Sequence, residues 1–232
     1  MNHKSALLFV LLSAPFIGLP ALATPKPVVV PDGQPSDSEA LNTDDATEWW
    51  DADVKGFDAV RVARDADLKR YKTFLVEQPT LEFDKYWLRE FRSDMTAHDK
   101  ERIRNSYTRV LRDALQEALN KDLGLQAVDT VNPDTLVITP SLSRFRLNAP
   151  DLSFRGITKD FVHYTGSARL ELHLRDGASG RALVQLSDHS ETRAFGGLGD
   201  LKQTNRVENL RDFKMLSKRW AARFADYLGD AQ

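Results

Sequence analysis

The sequence predicts an α+β domain of two layers: a mainly antiparallel sheet with a long central helix and a C-terminal amphipathic helix on one of its faces. Three patterns carry that expectation. Residues 96–124 repeat their apolar positions at helical spacing, with Ile103, Tyr107, Leu111, Leu115 and Leu119 along one side and Lys100, Arg104, Arg112 and Lys121 elsewhere on the wheel. Residues 161–175 alternate instead: Ala168, Leu170, Leu172 and Leu174 are separated by Arg169, Glu171 and His173, which describes a sheet with one covered and one wet face. Residues 205–228 return to the helical period through Leu210, Phe213, Trp220, Phe224 and Leu228. Two helical stripes and one sheet face need each other as cover.

The chain opens with Lys4, an apolar run over residues 6–19 and the small residues Ala21 and Ala23, the pattern of a secretory signal peptide over 1–23 cleaved after Ala23. That run is shorter than a membrane-spanning helix requires and contains Pro15. Residues 24–46 are rich in Pro, Ser and Asp without apolar period and read as a disordered leader; 47–232 read as a single α+β domain. Trp49 and Trp50 at the leader's edge are expected to be pinned to the domain surface.

Aromatic and branched residues place the first strand at 71–77, with Pro79 marking its end or a bulge, and residues 84–95 read as an irregular connection. For the central helix, Thr96 is the expected N-cap with Asp99 completing a capping box, and Gly124 suits the left-handed position past its end. After the turn chemistry of Asn132, Pro133 and Asp134, residues 135–147 form a second strand with a bend expected at Pro140. Residues 148–159 read as a loop. Residues 176–180, with Gly177 and Gly180 at positive φ, then join strand 161–175 to its partner 181–193, where Ala182, Val184 and Leu186 point one way. The glycine-rich residues 195–201 read as a mobile hinge before the terminal helix.

Charge excludes some partners. The sequence has 32 basic and 34 acidic residues; Lys4 is the one charged residue before Thr24, so the mature chain keeps 31 basic against 34 acidic and gives no reason to expect nucleic acid as a partner. The absence of cysteine rules out disulfides, thiolate chemistry and attachment of a lipid to cysteine, so the expected product is a periplasmic protein and not a lipoprotein. Residues 24–67 are acidic and residues 202–223 basic, which offers Lys214, Lys218 and their neighbours to anionic membrane as a peripheral contact.

No motif organises a reaction. Asp188, His189 and Ser190 are the residue types of a hydrolytic triad, but neighbours on a strand face opposite ways and cannot form a relay with one another. His163, His173 and His189 lack metal-ligand spacing. Gly196, Gly197 and Gly199 lack the Lys-Ser/Thr of a phosphate loop, and Asp44 and Asp45 lie in the leader, away from any rigid frame. No catalytic residue, cofactor or metal is therefore expected.

Residues 65–83, 132–145 and 165–192 resemble the bacterial family catalogued as domain of unknown function 3313, through the entry to the first strand (DLKRYK), the entry to the second (PDTL) and the hairpin RDGASGR. The resemblance covers most of 65–228. It implies an exported envelope protein, many members being lipoproteins, and carries no catalytic residues; the missing cysteine sets this chain apart from those members. The expected function is non-enzymatic: an envelope protein that binds another envelope protein, or itself, through the wet sheet face or the hairpin. The alternatives are a small-ligand-binding or hydrolytic enzyme with its cleft beneath 195–201, and a peripheral binder of anionic membrane.

Overall fold

The computed structural model describes residues 48–148, 150, 152, 160–162, 164–193 and 202–231. The signal segment, the leader, His163 and the glycine-rich residues 195–201 lie outside them, as does most of the loop expected at 148–159.

The central helix, α2 (Ala97–Asp122), begins and ends where its local chemistry dictates. The Thr96 hydroxyl accepts from the Asp99 amide at 3.0 Å, and the Asp99 carboxylate accepts from the Thr96 amide at 3.1 Å, so two otherwise orphaned N–H groups are satisfied reciprocally. Past the last turn Gly124 takes φ +66°, a conformation that costs glycine nothing. Leu111, Leu115 and Leu119, each 0% exposed, form the spine of its buried face. The terminal helix, α3 (Arg206–Ala231), is capped by Asn205, whose side-chain oxygen accepts from the Val207 and Glu208 amides. It lies beside α2 and buries Phe213, Leu216, Trp220, Phe224 and Leu228.

Eight strands make the sheet beneath: β1 (Trp49–Ala52), β2 (Ala59–Ala63), β3 (Thr73–Val76), β4 (Thr80–Phe83), β5 (Gln126–Ala127), β6 (Thr135–Leu147), β8 (Tyr164–Asp176) and β9 (Ala182–Arg193). Their order is β1-β2-β9-β8-β6-β3-β5, with β4 also beside β6. Pairing is antiparallel from β1 through β6, and parallel where β3, β4 and β5 join, so the sheet is mixed with long antiparallel strands at its centre. The short strands β7 (Asp160–Val162) and β10 (Lys202–Thr204) form a separate antiparallel pair.

One hydrophobic cluster joins the two helices to the inner sheet face, drawing on Leu170, Leu172 and Leu174 of β8 and on Val184 and Leu186 of β9. Each such side chain contributes about 1.5 to 3 kcal/mol on burial. A run of edge-to-face rings crosses it: Phe83 to Phe145 at 5.9 Å, Phe145 to Tyr107 at 4.8 Å, Tyr107 to Phe213 at 4.9 Å and Phe213 to Trp220 at 6.2 Å. The expected layering is therefore present, with both long helices on one face.

Local expectations fail in instructive places. β1 occupies the residues expected to hold only pinned tryptophans, and β2 is a strand that the sequence pattern does not predict; its period-2 signal of Val60 and Val62 around Arg61 is short and set among charges. Strand placement then separates the tryptophans. Trp50 pairs with Val62 and shares the helix side at the sheet edge, 51% exposed, while Trp49 pairs with Ala63 on the other side, beneath the Arg61 guanidinium. Residues 84–95 are not irregular throughout: α1 (Lys85–Glu90) forms because the Asp84 carboxylate accepts from the Tyr86 and Trp87 amides. Trp87 then buries against Phe83, and its Nε1 donates to the Leu147 carbonyl at 2.8 Å.

In β6 the bend expected at Pro140 lies further on, between Ser143 and Arg146, where Arg144 takes φ +50°. Pro140 stays in register opposite Leu172. The Ile138 carbonyl accepts from Glu77 of the chain following β3, so the Pro140 nitrogen faces the same edge, where Gln78 and Pro79 separate β3 from β4. No donor is missed there. In the hairpin turn Gly180 has φ +72°, but Gly177 does not have positive φ; a side chain on Gly177 would stand 2.6 Å from the Thr135 carbonyl oxygen, so close approach is its reason for being glycine.

The same turn holds a buried carboxylate. Asp176 accepts from the Tyr71 hydroxyl at 2.8 Å and from the Ser179 amide and hydroxyl at 2.9 and 2.6 Å, with Arg70 at 3.4 Å. Burial alone would push Asp176 up, but these donors and the Arg70 charge outweigh it and hold the carboxyl below its usual 3.8. A depressed native value means that this contribution to stability is fully present above the unfolded pKa and is lost as pH falls below about 4. Asp176→Asn is expected to flatten that acid limb in urea unfolding between pH 6 and pH 3; an unchanged pH slope would remove Asp176 from the linkage.

Candidate functional site

The side chains that alternate with the core positions form the outer face of the sheet, and this face collects the polar residues that the strand pattern left unassigned. In register across β6, β8, β9 and β2 stand Thr139, His173, Gln185 and Arg61, and beside them Ser141, Glu171, Ser187 and Ala59. Several are tied together across strands. Glu77, after β3, accepts from Arg175 at 3.0 Å and from the Thr139 hydroxyl at 2.5 Å. Ser141 and Ser143 reach Glu171 at 3.5 and 3.4 Å, and Arg169 meets Asp58 at 3.9 Å. These groups are half-buried and hold one another in place, so the face is an ordered polar surface; each exposed pair adds about 0 to 1 kcal/mol to stability.

The face is broad. β8 and β9 have 13 and 12 residues, and at about 3.4 Å per residue each extends about 40 Å; with five neighbouring strands about 4.8 Å apart, the sheet offers on the order of 800 Å². That is about one partner's share of a standard protein–protein interface.

The residues weighed for chemistry are dispersed. His173 and His189 are exposed on this outer face. Asp188 points the other way, into the core, where it is 6% exposed and accepts from Trp220 Nε1 at 2.6 Å and from the Ser190 hydroxyl at 2.7 Å. His189 is joined by its backbone amide to Asp58 at 2.9 Å and turns its ring away from Asp188 and Ser190. Asp188 thus anchors the terminal helix to β9, a role that its apolar-face position in the alternation signals once the strand is phased from Val184 and Leu186. Among the described residues no group of three or more His, Asp or Glu side chains is placed to hold a metal ion, and no helix is long and apolar enough to cross a membrane. His163, Asp44, Asp45 and Gly196, Gly197 and Gly199 lie outside the described residues.

The basic residues of α3 are divided among local partners. Lys218 meets Glu117 of α2 at 3.5 Å, Arg211 meets Glu208 at 3.9 Å, and Arg223 donates to the Gly56 carbonyl at 3.0 Å. Lys214 and Arg219 remain exposed. Hollows open on the helix side among the described residues. A wide groove of about 710 Å³ runs between Trp50 and Tyr227, and a smaller one of about 220 Å³ lies between the first halves of α2 and α3.

No family model matches the chain, and no curated protein does. Solved structures overlap it distantly. A PelC dodecamer from Paraburkholderia phytofirmans is 10% identical over 71% of this chain and 94% of its own, with a TM-score of 0.36. A PDZ domain protein from Parabacteroides distasonis is 13% identical over 71% of this chain and 34% of its own, also with a TM-score of 0.36. Overlaps of that quality say nothing about the role of this chain.

Proposed function

We propose that the protein is an exported, non-enzymatic component of the cell envelope, periplasmic after cleavage at Ala23, that docks another envelope protein or a second copy of itself through the outer face of its sheet. The observation that carries this reading is the cross-strand polar network on that face: Glu77, Thr139 and Arg175, with Glu171 and Arg169, are tied to one another or to neighbouring strands on a surface of interface size while the opposite face is covered by the helices. Preset polar side chains give register and specificity to an encounter at small cost in side-chain ordering. The signal-peptide pattern over 1–23 and the resemblance to the domain of unknown function 3313 family support the envelope location.

The test is photo-crosslinking in intact cells from single positions on the two sides of the molecule. A probe at His173 or Ser187 is expected to give one adduct of reproducible mass, and a probe at Lys214, on the back of α3, none. Adducts of equal yield from both sides, or none from the sheet face, would refute the assignment. Membrane association through α3 makes a separate demand: native protein must sediment with anionic vesicles at low salt and lose that property in Lys214→Glu/Lys218→Glu.

A further inference from the structure

We propose that the smaller hollow, between the first halves of α2 and α3, binds a small anion with a short apolar body, such as a medium-chain carboxylate or the end of an anionic phospholipid. Its walls combine two chemistries. Arg102, Ser106 and Arg109 stand at i, i+4 and i+7 on α2 and so form one stripe, and Arg206 faces them from the first turn of α3. The floor between them is apolar, made by Ile103, Leu147 and Leu210. The described lining residues thus supply three guanidiniums and no carboxylate.

The surroundings favour an anion. Asp99 stands behind Arg102 and is engaged both with it, at 3.0 Å, and with the cap of α2. Asp212 lies deeper, within electrostatic reach of Tyr107, and Glu208 turns to Arg211 at 3.9 Å. Arg109 has no such neighbour among the described ion pairs, and the positive end of the α3 dipole opens on the same rim. Tyr107, 4% exposed, packs its ring against Phe145 and Phe213 and contributes to the wall of the hollow. Charge over an apolar floor also strengthens attraction to an anion relative to open water.

Size restricts the ligand. At about 220 Å³ the hollow is smaller than the roughly 300 to 1,000 Å³ of sites for drug-sized molecules, so it takes a short chain or one end of a longer amphiphile. This inference is independent of the docking face, which lies across the sheet.

The test is calorimetric titration of the full mature chain with decanoate, decanol and decyltrimethylammonium below their micellar concentrations. Decanoate is expected to bind saturably at one site, at least tenfold more tightly than the cation. Arg109→Gln, an exposed position, is expected to weaken decanoate about tenfold with unchanged melting, and Leu210→Trp to fill the hollow and abolish binding. If Leu210→Trp fails to fold, Arg109→Gln and the charge reversal Arg109→Glu carry the comparison, the reversal being expected to weaken decanoate further. A second arm separates the sources: cosedimentation with phosphatidylglycerol vesicles that decanoate reverses identifies a lipid end, and decanoate binding without cosedimentation identifies a free amphiphile. Equal binding of the cation, or native affinity in both Arg109→Gln and Leu210→Trp, would overturn the proposal.

Discussion

Leu111→Asp is expected to leave no folded protein. Leu111 is 0% exposed at the middle of α2, where the helix meets both α3 and the sheet. The change removes a buried side chain worth about 2 to 5 kcal/mol and places a carboxylate within the hydrophobic cluster, adding several kcal/mol more. Together these consume most of the roughly 5 to 15 kcal/mol by which a domain is stable. Leu111→Met, which conserves volume, is the control and should cost less than about 1.5 kcal/mol. Circular dichroism and thermal melting distinguish the two. A cooperative melt for Leu111→Asp near that of the native chain would contradict the placement of this helix face.

The second large effect is expected at Trp220, also 0% exposed, which fills the space between α3 and β9 and donates its Nε1 proton to Asp188. Trp220→Ala should cost about 3 to 5 kcal/mol for the cavity and about 1 to 3 kcal/mol for the carboxylate that loses a donor. Trp220→Phe should retain much of the packing and isolate the hydrogen bond. Combining Trp220→Phe with Asp188→Leu is then expected to cost less than the sum of the two single changes, because the double change leaves neither the indole N–H nor the carboxylate facing a lost partner, and the loss of the Ser190 bond is common to both backgrounds. Urea unfolding measures all of these. Strict additivity would mean that the bond does not couple the helix to the sheet.

Much of this fold was legible because its strongest elements are amphipathic over many residues. The stripe through Leu111, Leu115 and Leu119, with Thr96 and Asp99 at one end and Gly124 at the other, announces a helix whose boundaries the structure places within a residue or two. The alternation in β8 likewise identifies both faces of the sheet. Short elements were lost for the opposite reason. β1, β2 and α1 have 4, 5 and 6 residues, too few for a period to stand out, and β2 and α1 are fixed in part by contacts distant in sequence, with β9 and with the Leu147 carbonyl. The parallel additions of β3 and β4 to β6 depend on such pairings as well, and local sequence does not record them.

The outer face was visible in outline and not in detail. Arg169, Glu171 and His173 mark it in the sequence, but the partners that order it, Glu77 with Arg175 and Asp58 with Arg169, come from separate strands and connections. The arginine-lined hollow shows the same limit. Arg102 and Arg109 are ordinary surface residues on a helical wheel until α3 brings Arg206 and Leu210 alongside them.

The measurement that most directly tests the separation of a structural helix side from a working sheet face is a paired assay of Arg169→Glu/Glu171→Lys, which reverses charges on the outer face without touching the core. Thermal melting is expected to stay within a few degrees of native, while the crosslinked adduct formed from His173 is lost. Retention of that adduct at native yield, in a protein that melts normally, would contradict the claim that this face recognises the partner.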